Sequence, residues 1–181
     1  TLEVAPKEAF PAGDPAFREF CTRFADERFS GGTMSAERLA YLLERETLTH
    51  ILTFRSGEMP LAYVFTAIEA PLLHYWFAFY DTRYRVSHSL GKWIMWRTLR
   101  WARESGLRHV YLGTCYGERS LYKVRDHRGI EWFTGVEWSR DLETLKRLCR
   151  LDAEPGDRDL LKPPWTELSR AVFAPVLSRS V

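Results

Sequence analysis

Phe77-Ala78-Phe79-Tyr80-Asp81, Ser89-Leu90-Gly91, Tyr111-Leu112-Gly113 and Tyr122-Lys123 follow one another within 47 residues, and their order decides the fold. The first run closes an apolar stretch that begins at Leu72 and alternates poorly, as a strand covered on both faces does. Asp81 ends it. Ser89 then opens an amphipathic run to Glu104 with Leu90, Ile94, Thr98 and Trp101 on one stripe, widened by Trp93 and Leu99, and Ser105-Gly106 stops it. A second strand is expected over His109–Cys115. Strand, crossover helix and strand make a βαβ unit, so the two strands are predicted to lie parallel in one sheet. A glycine in the first helical turn suggests a backbone-lined anion site beside a splayed strand pair.

Outward from this unit the elements are readable by period. Asp14-Pro15 and the apolar positions Phe17, Phe20, Cys21, Phe24 and Ala25 predict a capped helix ending near Ser30-Gly31-Gly32, and Ser35 starts a second through Leu39, Leu42 and Leu43. Two helices are thus expected to open the domain. Ile51–Phe54, a turn at Ser56-Gly57-Glu58 and Leu61–Ile68 read as a hairpin. Gly117–Lys123 reads as a short helix, Glu131–Ser139 as a final strand, and Asp141–Arg150 as a helix. The predicted organisation is one domain over residues 1–152 and an extension over 153–181, where Pro155, Gly156, Pro163 and Pro164 break any period.

Composition narrows the function classes. With 181 residues and 45% hydrophobic content the chain can bury a sizeable core. Its 26 Lys and Arg against 24 Asp and Glu give a formal charge of +2, so composition alone implies no strong nucleic-acid field. Arg83, Arg85, His88, Lys92, Arg97, Arg100 and Arg103 cluster locally, a run more often solvated than functional. Three widely spaced cysteines, Cys21, Cys115 and Cys149, fit neither a disulfide framework nor paired zinc spacing. No metal is expected. The reading that follows is a reducing, cytoplasmic setting with no membrane partner.

The order of elements resembles the GNAT acyltransferase fold, an α/β (α+β) architecture with a central mixed sheet flanked by helices and a splayed parallel strand pair. The four quoted motifs also resemble the C-terminal region of arginyl-tRNA–protein transferases, with Thr82 at that family's proline. Leu121-Tyr122-Lys123 with Gly129 is similar to FemAB-like and other GNAT-type aminoacyl or acyl transferases. The resemblance implies transfer of an aminoacyl or acyl group onto an amine, with aminoacyl-tRNA as donor and tRNA as partner. The alternatives are an acyl-CoA-dependent N-acetyltransferase and a non-catalytic GNAT-like binding module. The acceptor would be a peptide or small-molecule amine.

Direct acyl transfer needs a neutral amine, a proton acceptor and donors for the oxyanion. Asp81 is the best-placed carboxylate, with an Asx-type strand-ending turn as its structural role; His74 and Glu69 are alternates. Tyr122 and Tyr80 complete the expected catalytic set. The donor's phosphates are expected at Arg85, Ser87, His88, Ser89, Leu90, Gly91 and Lys92, with Lys123 as a further point charge. Laid on the CoA-loop pattern, Val86, Ser89 and Gly91 take its three places; Ser89 as a plain N-cap is the competing reading. Trp76, Tyr111, Tyr116 and Glu137 are expected to contact substrate. Cys115 lacks an evident histidine partner and is not expected to act as a thiol nucleophile.

Overall fold

The computed structural model describes residues 1–29, 34–115 and 117–153. They divide into two compact units, one over Thr1–Gly113 and one beginning at Thr114. The Gly31-Gly32 helix end, Tyr116 and nearly all of the 153–181 extension lie outside the described residues.

In the first unit a strand precedes the helices, unlike the expectation: β1 (Leu2–Pro6) pairs antiparallel with β2 (His50–Ser56). Its five residues include Pro6 and lack the β-branched alternation that marks a strand; only the edge of β2 recruits it. α1 (Pro15–Arg28) starts where Asp14 accepts a hydrogen bond from the Ala16 amide at 2.9 Å, with proline at its first position. α2 (Ala36–Glu44) is capped by the Ser35 hydroxyl, which accepts from the Arg38 amide at 3.2 Å. Both helices press Phe17, Phe20, Phe24, Leu39 and Leu42 against Ile51, Tyr63, Phe65 and Phe79 of the sheet. Each such buried side chain contributes about 1.5–3 kcal/mol.

The expected hairpin is β2 with β3 (Met59–Glu69), turned at Gly57, and β4 (Leu72–Tyr80) pairs with β3 in turn. α3 (Leu90–Glu104) buries Leu90, Ile94, Met95, Thr98 and Ala102. The stripe therefore runs through Met95 and Ala102, leaving Trp93 partly exposed with its ring edge-on to Phe54 at 5.8 Å. Gly106, at φ 78°, ends α3: the Leu107 amide donates to Ala102 O (2.9 Å) and that of Gly106 to Arg103 O (3.1 Å), a Schellman closure.

β5 (His109–Tyr111) completes the sheet, in the order β1-β2-β3-β4-β5, and is parallel to β4 as the crossover predicts. It is shorter than expected. Pairing covers Leu72↔His109, Leu73↔Val110 and His74↔Tyr111, after which Gly113, at φ 74°, takes a conformation a strand does not hold.

The second unit holds a 3-10 turn at Glu118–Ser120, α4 (Tyr122–Arg125), a two-stranded ribbon and α5 (Leu142–Ala153). The single strand expected over Glu131–Ser139 is a hairpin of β6 (Trp132–Phe133) and β7 (Trp138–Ser139). Thr134 makes the reversal: its amide and hydroxyl donate to Glu137 O at 2.9 and 3.1 Å, and Gly135 supplies φ 103°. Asp141 caps α5 by accepting from the Thr144 amide at 3.0 Å. Val124, Leu145 and Cys149 form this unit's core.

Gly91 shows how tightly the helix start meets the strand end. A Cβ there would stand 3.0 Å from Cε1 and 3.2 Å from the hydroxyl oxygen of Tyr80, whose ring is backed by Phe24 at 4.6 Å between centroids. Alanine would raise helix propensity by up to about 1 kcal/mol, while overpacking costs about 1–3 kcal/mol. Gly91→Ala should therefore lower stability with Tyr80 present and raise it in a Tyr80→Ala background; denaturant unfolding of the four proteins checks the reversal.

Candidate active site

Two irregularities of β4 shape the site in the first unit. The β3–β4 register passes from Thr66↔Tyr75 to Phe65↔Phe77, so Trp76 is an extra residue, a β-bulge. Tyr75 consequently shares the face of Thr66, while Phe77 shares that of Phe65, toward α1 and α2. This explains the poor alternation noted in the sequence. The second irregularity is the end of the β5 ladder at His74, two residues before the bulge. Among the described residues no strand pairs with Trp76–Tyr80 on that side.

At the far end of that open edge stands the start of α3. Ser89 is not a side-chain cap: it adopts φ 47°, ψ 40°, and is the one non-glycine with positive φ among the described residues. Its carbonyl accepts from the Lys92 and Trp93 amides at 2.9 and 3.1 Å. The left-handed turn costs on the order of 1 kcal/mol, and the first-turn amides of Leu90 and Gly91 have no acceptor within the helix. The positive end of a helix dipole favours a nearby anion. Arg85, Ser87, His88 and Lys92 are exposed around it, with a 2.8 Å hydrogen bond between the Ser87 hydroxyl and His88 Nδ1. The ring of His88 stands edge-on to Tyr84.

Asp81 ends β4 as an Asx turn, accepting from the Arg83 amide at 3.1 Å, and is 8% exposed. The Arg83 guanidinium, 73% exposed, closes on the same carboxylate with contacts of 2.6, 3.0 and 3.1 Å. These hydrogen bonds hold the Asp81 carboxyl below the usual carboxylate range against the opposing effect of burial. A carboxylate so paired is a weak proton acceptor. Arg83 was not among the residues expected from sequence, although its place two after Asp81 is the spacing an Asx turn needs for an ion pair.

Beside it a cleft of about 300 Å³ is lined by Phe20, Arg23, Phe24 and Glu27 of α1 and by Tyr80, Asp81, Thr82 and Arg83. The four α1 positions are spaced three and four apart, one face of the helix. The Thr82 hydroxyl donates to the Glu27 carboxylate. Trp76, an expected substrate contact, packs partly buried against the core shared with α1 and α2, beside Phe77. Tyr111 is exposed at the last rung of the β4–β5 ladder.

The remaining candidates belong to the second unit. Tyr122 and Lys123 open α4, both half-buried. Lys123 Nζ donates to Thr114 O at 2.9 Å, and burial pushes its pKa down. Glu137 is exposed in the β6–β7 turn, where its backbone holds the reversal. Among the described residues no group of three or more His, Cys, Asp or Glu could hold a metal ion, and no helix is long and apolar enough to cross a membrane.

Residues 11–128 match the family model described as an acetyltransferase (GNAT) domain. Among solved structures, the ribosomal-protein-S18-alanine N-acetyltransferase of Escherichia coli is similar at 10% identity and a TM-score of 0.50, over 74% of this chain and 80% of that one. A GNAT family acetyltransferase of Brucella melitensis, solved in complex with acetyl-CoA, is similar at 14% identity and a TM-score of 0.46, over 69% and 81%. No curated protein matches.

Because the Asp81 carboxyl is depressed by Arg83, its ionised form favours the folded state. That contribution is fully present above the unfolded value of about 3.9 and fades as pH falls through the lower folded value. Wild type should accordingly be more stable than Asp81→Asn at neutral pH, and the gap should close below about pH 4; thermal melts at several pH values measure it.

Proposed function

The chain belongs to the GNAT acetyltransferase family, and on that premise we propose that it transfers the acetyl group of acetyl-CoA to an amine. It is an enzyme of the GNAT acyltransferase superfamily with that superfamily's fold. Between the donors weighed from sequence, the family match favours acyl-CoA over aminoacyl-tRNA. The observation that carries the reading is the left-handed Ser89 at the start of α3, in the same unit as the length of β4 that runs beyond the β4–β5 ladder.

In this reading the pyrophosphate sits on the Leu90 and Gly91 amides, and Arg85 and Lys92 add charge from the exposed rim. The extended amide-bearing arm of the donor runs along β4 beyond His74 as an added strand would. That brings the thioester to the bulge at Trp76, where the irregular backbone supplies a donor for the oxyanion that forms when the amine attacks. The amine nitrogen bonds to the acetyl carbon, the C–S bond breaks, the amine loses a proton, and the departing thiolate gains one. The cleft beside Glu27, at the Tyr80 end of β4, is proposed to hold a part of the acceptor away from the reacting amine, its exposed carboxylate attracting a cationic group onto a floor of Phe20, Phe24 and Tyr80.

In this reading Asp81 is not the proton acceptor. Its pairing with Arg83 suits it to hold the turn between β4 and α3.

Calorimetric titration with acetyl-CoA and colorimetric detection of released thiol with a panel of primary amines test the proposal. Saturable binding and amine-dependent thiol release are expected. Arg85→Ala and Lys92→Ala should each weaken donor binding about fivefold, equivalent to about 1 kcal/mol, while Ser89→Gly, which keeps every amide and removes the strain, should retain it. Absence of acetyl-CoA binding, together with retention of charged tRNA on filters, would replace this donor by the other.

A further inference from the structure

In the second unit Cys115 and Cys149 bring their sulfur atoms to 3.9 Å, though 34 residues separate them in sequence. Cys149 lies on the buried stripe of α5, 2% exposed, and its thiol also donates to the Cys115 carbonyl at 3.6 Å. Cys115 is half-buried, in the stretch leading from Gly113 to the 3-10 turn, and packs against the cluster of Val124, Leu145 and Cys149. Sulfur atoms already in van der Waals contact need to close by only about 2 Å to bond. The mechanism above uses neither of them.

The third cysteine provides a contrast. Cys21 is 0% exposed in the core beneath α1, and burial pushes its thiol far above the usual range. A thiol so buried is inert toward oxidants.

We propose that Cys115 and Cys149 are an oxidation site that closes to an intramolecular disulfide on exposure to hydrogen peroxide. The accessible Cys115 sulfur attacks the peroxide, the O–O bond breaks, and a sulfenic acid and one water result. The Cys149 sulfur then attacks the sulfenic sulfur. The S–S bond forms, the hydroxyl group leaves, and the Cys149 proton converts it to a second water. The two thiols together lose two hydrogens, and hydrogen peroxide is reduced to two waters. The bond would tie α5 to the segment whose Thr114 carbonyl holds Lys123, so the entry to α4 would be fixed in the oxidised protein.

The full chain is treated with hydrogen peroxide, alkylated under denaturing conditions and mapped by mass spectrometry. The expected result is a mass decrease of two hydrogens, a Cys115–Cys149 linked peptide that dithiothreitol releases, and a Cys21 that is fully alkylated. Cys149→Ser should stop at a sulfenic acid on Cys115, trapped by dimedone. If that variant does not fold, the wild-type map alone decides. Alkylation of both residues after peroxide, a sulfinic acid on Cys115 beside an alkylated Cys149, or a link between two chains in place of the internal one would overturn the proposal.

Discussion

The end of the parallel ladder at His74↔Tyr111 is the constraint on which the candidate site depends. A parallel neighbour that continued along β4 would use the backbone groups of Trp76–Tyr80 for pairing. Gly113 prevents this by turning the chain at a positive φ two residues after Tyr111. The Trp76 bulge adds to it, because an extra residue cannot sit in register with the regular strands on either side. Two local departures from ideal sheet geometry thus end the parallel pairing of β4 before its last residues.

The Tyr80–Gly91 contact joins those residues to the helix. Glycine lets the first turn of α3 come against the tyrosine ring, and Phe24 holds the ring from the other side. The Asp81–Arg83 pair then fixes the turn that leads toward Ser89. Strand end, turn and helix start form one packed unit, which is what a helix N-terminus needs if its amides are to meet a ligand in a fixed geometry. The strain at Ser89 is tolerated because the packing on both sides determines where the chain must go.

Local signals carried most of the elements. Asp14, Ser35 and Asp141 cap the helices that the periodicity implied, and Ser105-Gly106 ends α3 by the expected closure. Where expectation and structure part, a nonlocal partner or a turn is responsible. β1 exists only because β2 offers an edge; the last strand folds back because Thr134 and Gly135 reverse it; and β5 stops early at Gly113. Ser89 had the residue type of a side-chain cap, yet tertiary placement put it in the left-handed region and left capping to its carbonyl.

The sequence by itself determined the order of elements, the βαβ crossover and the place of the glycine at the start of α3, since period, caps and glycine conformations act over a few residues. Only the tertiary structure decided which backbone groups are left over. It set the bulge at Trp76, drew Trp76 toward the core, and brought Cys115 to Cys149. Those outcomes depend on partners distant in the chain or on competing local pairings, and an open edge is defined by what the rest of the fold does not cover.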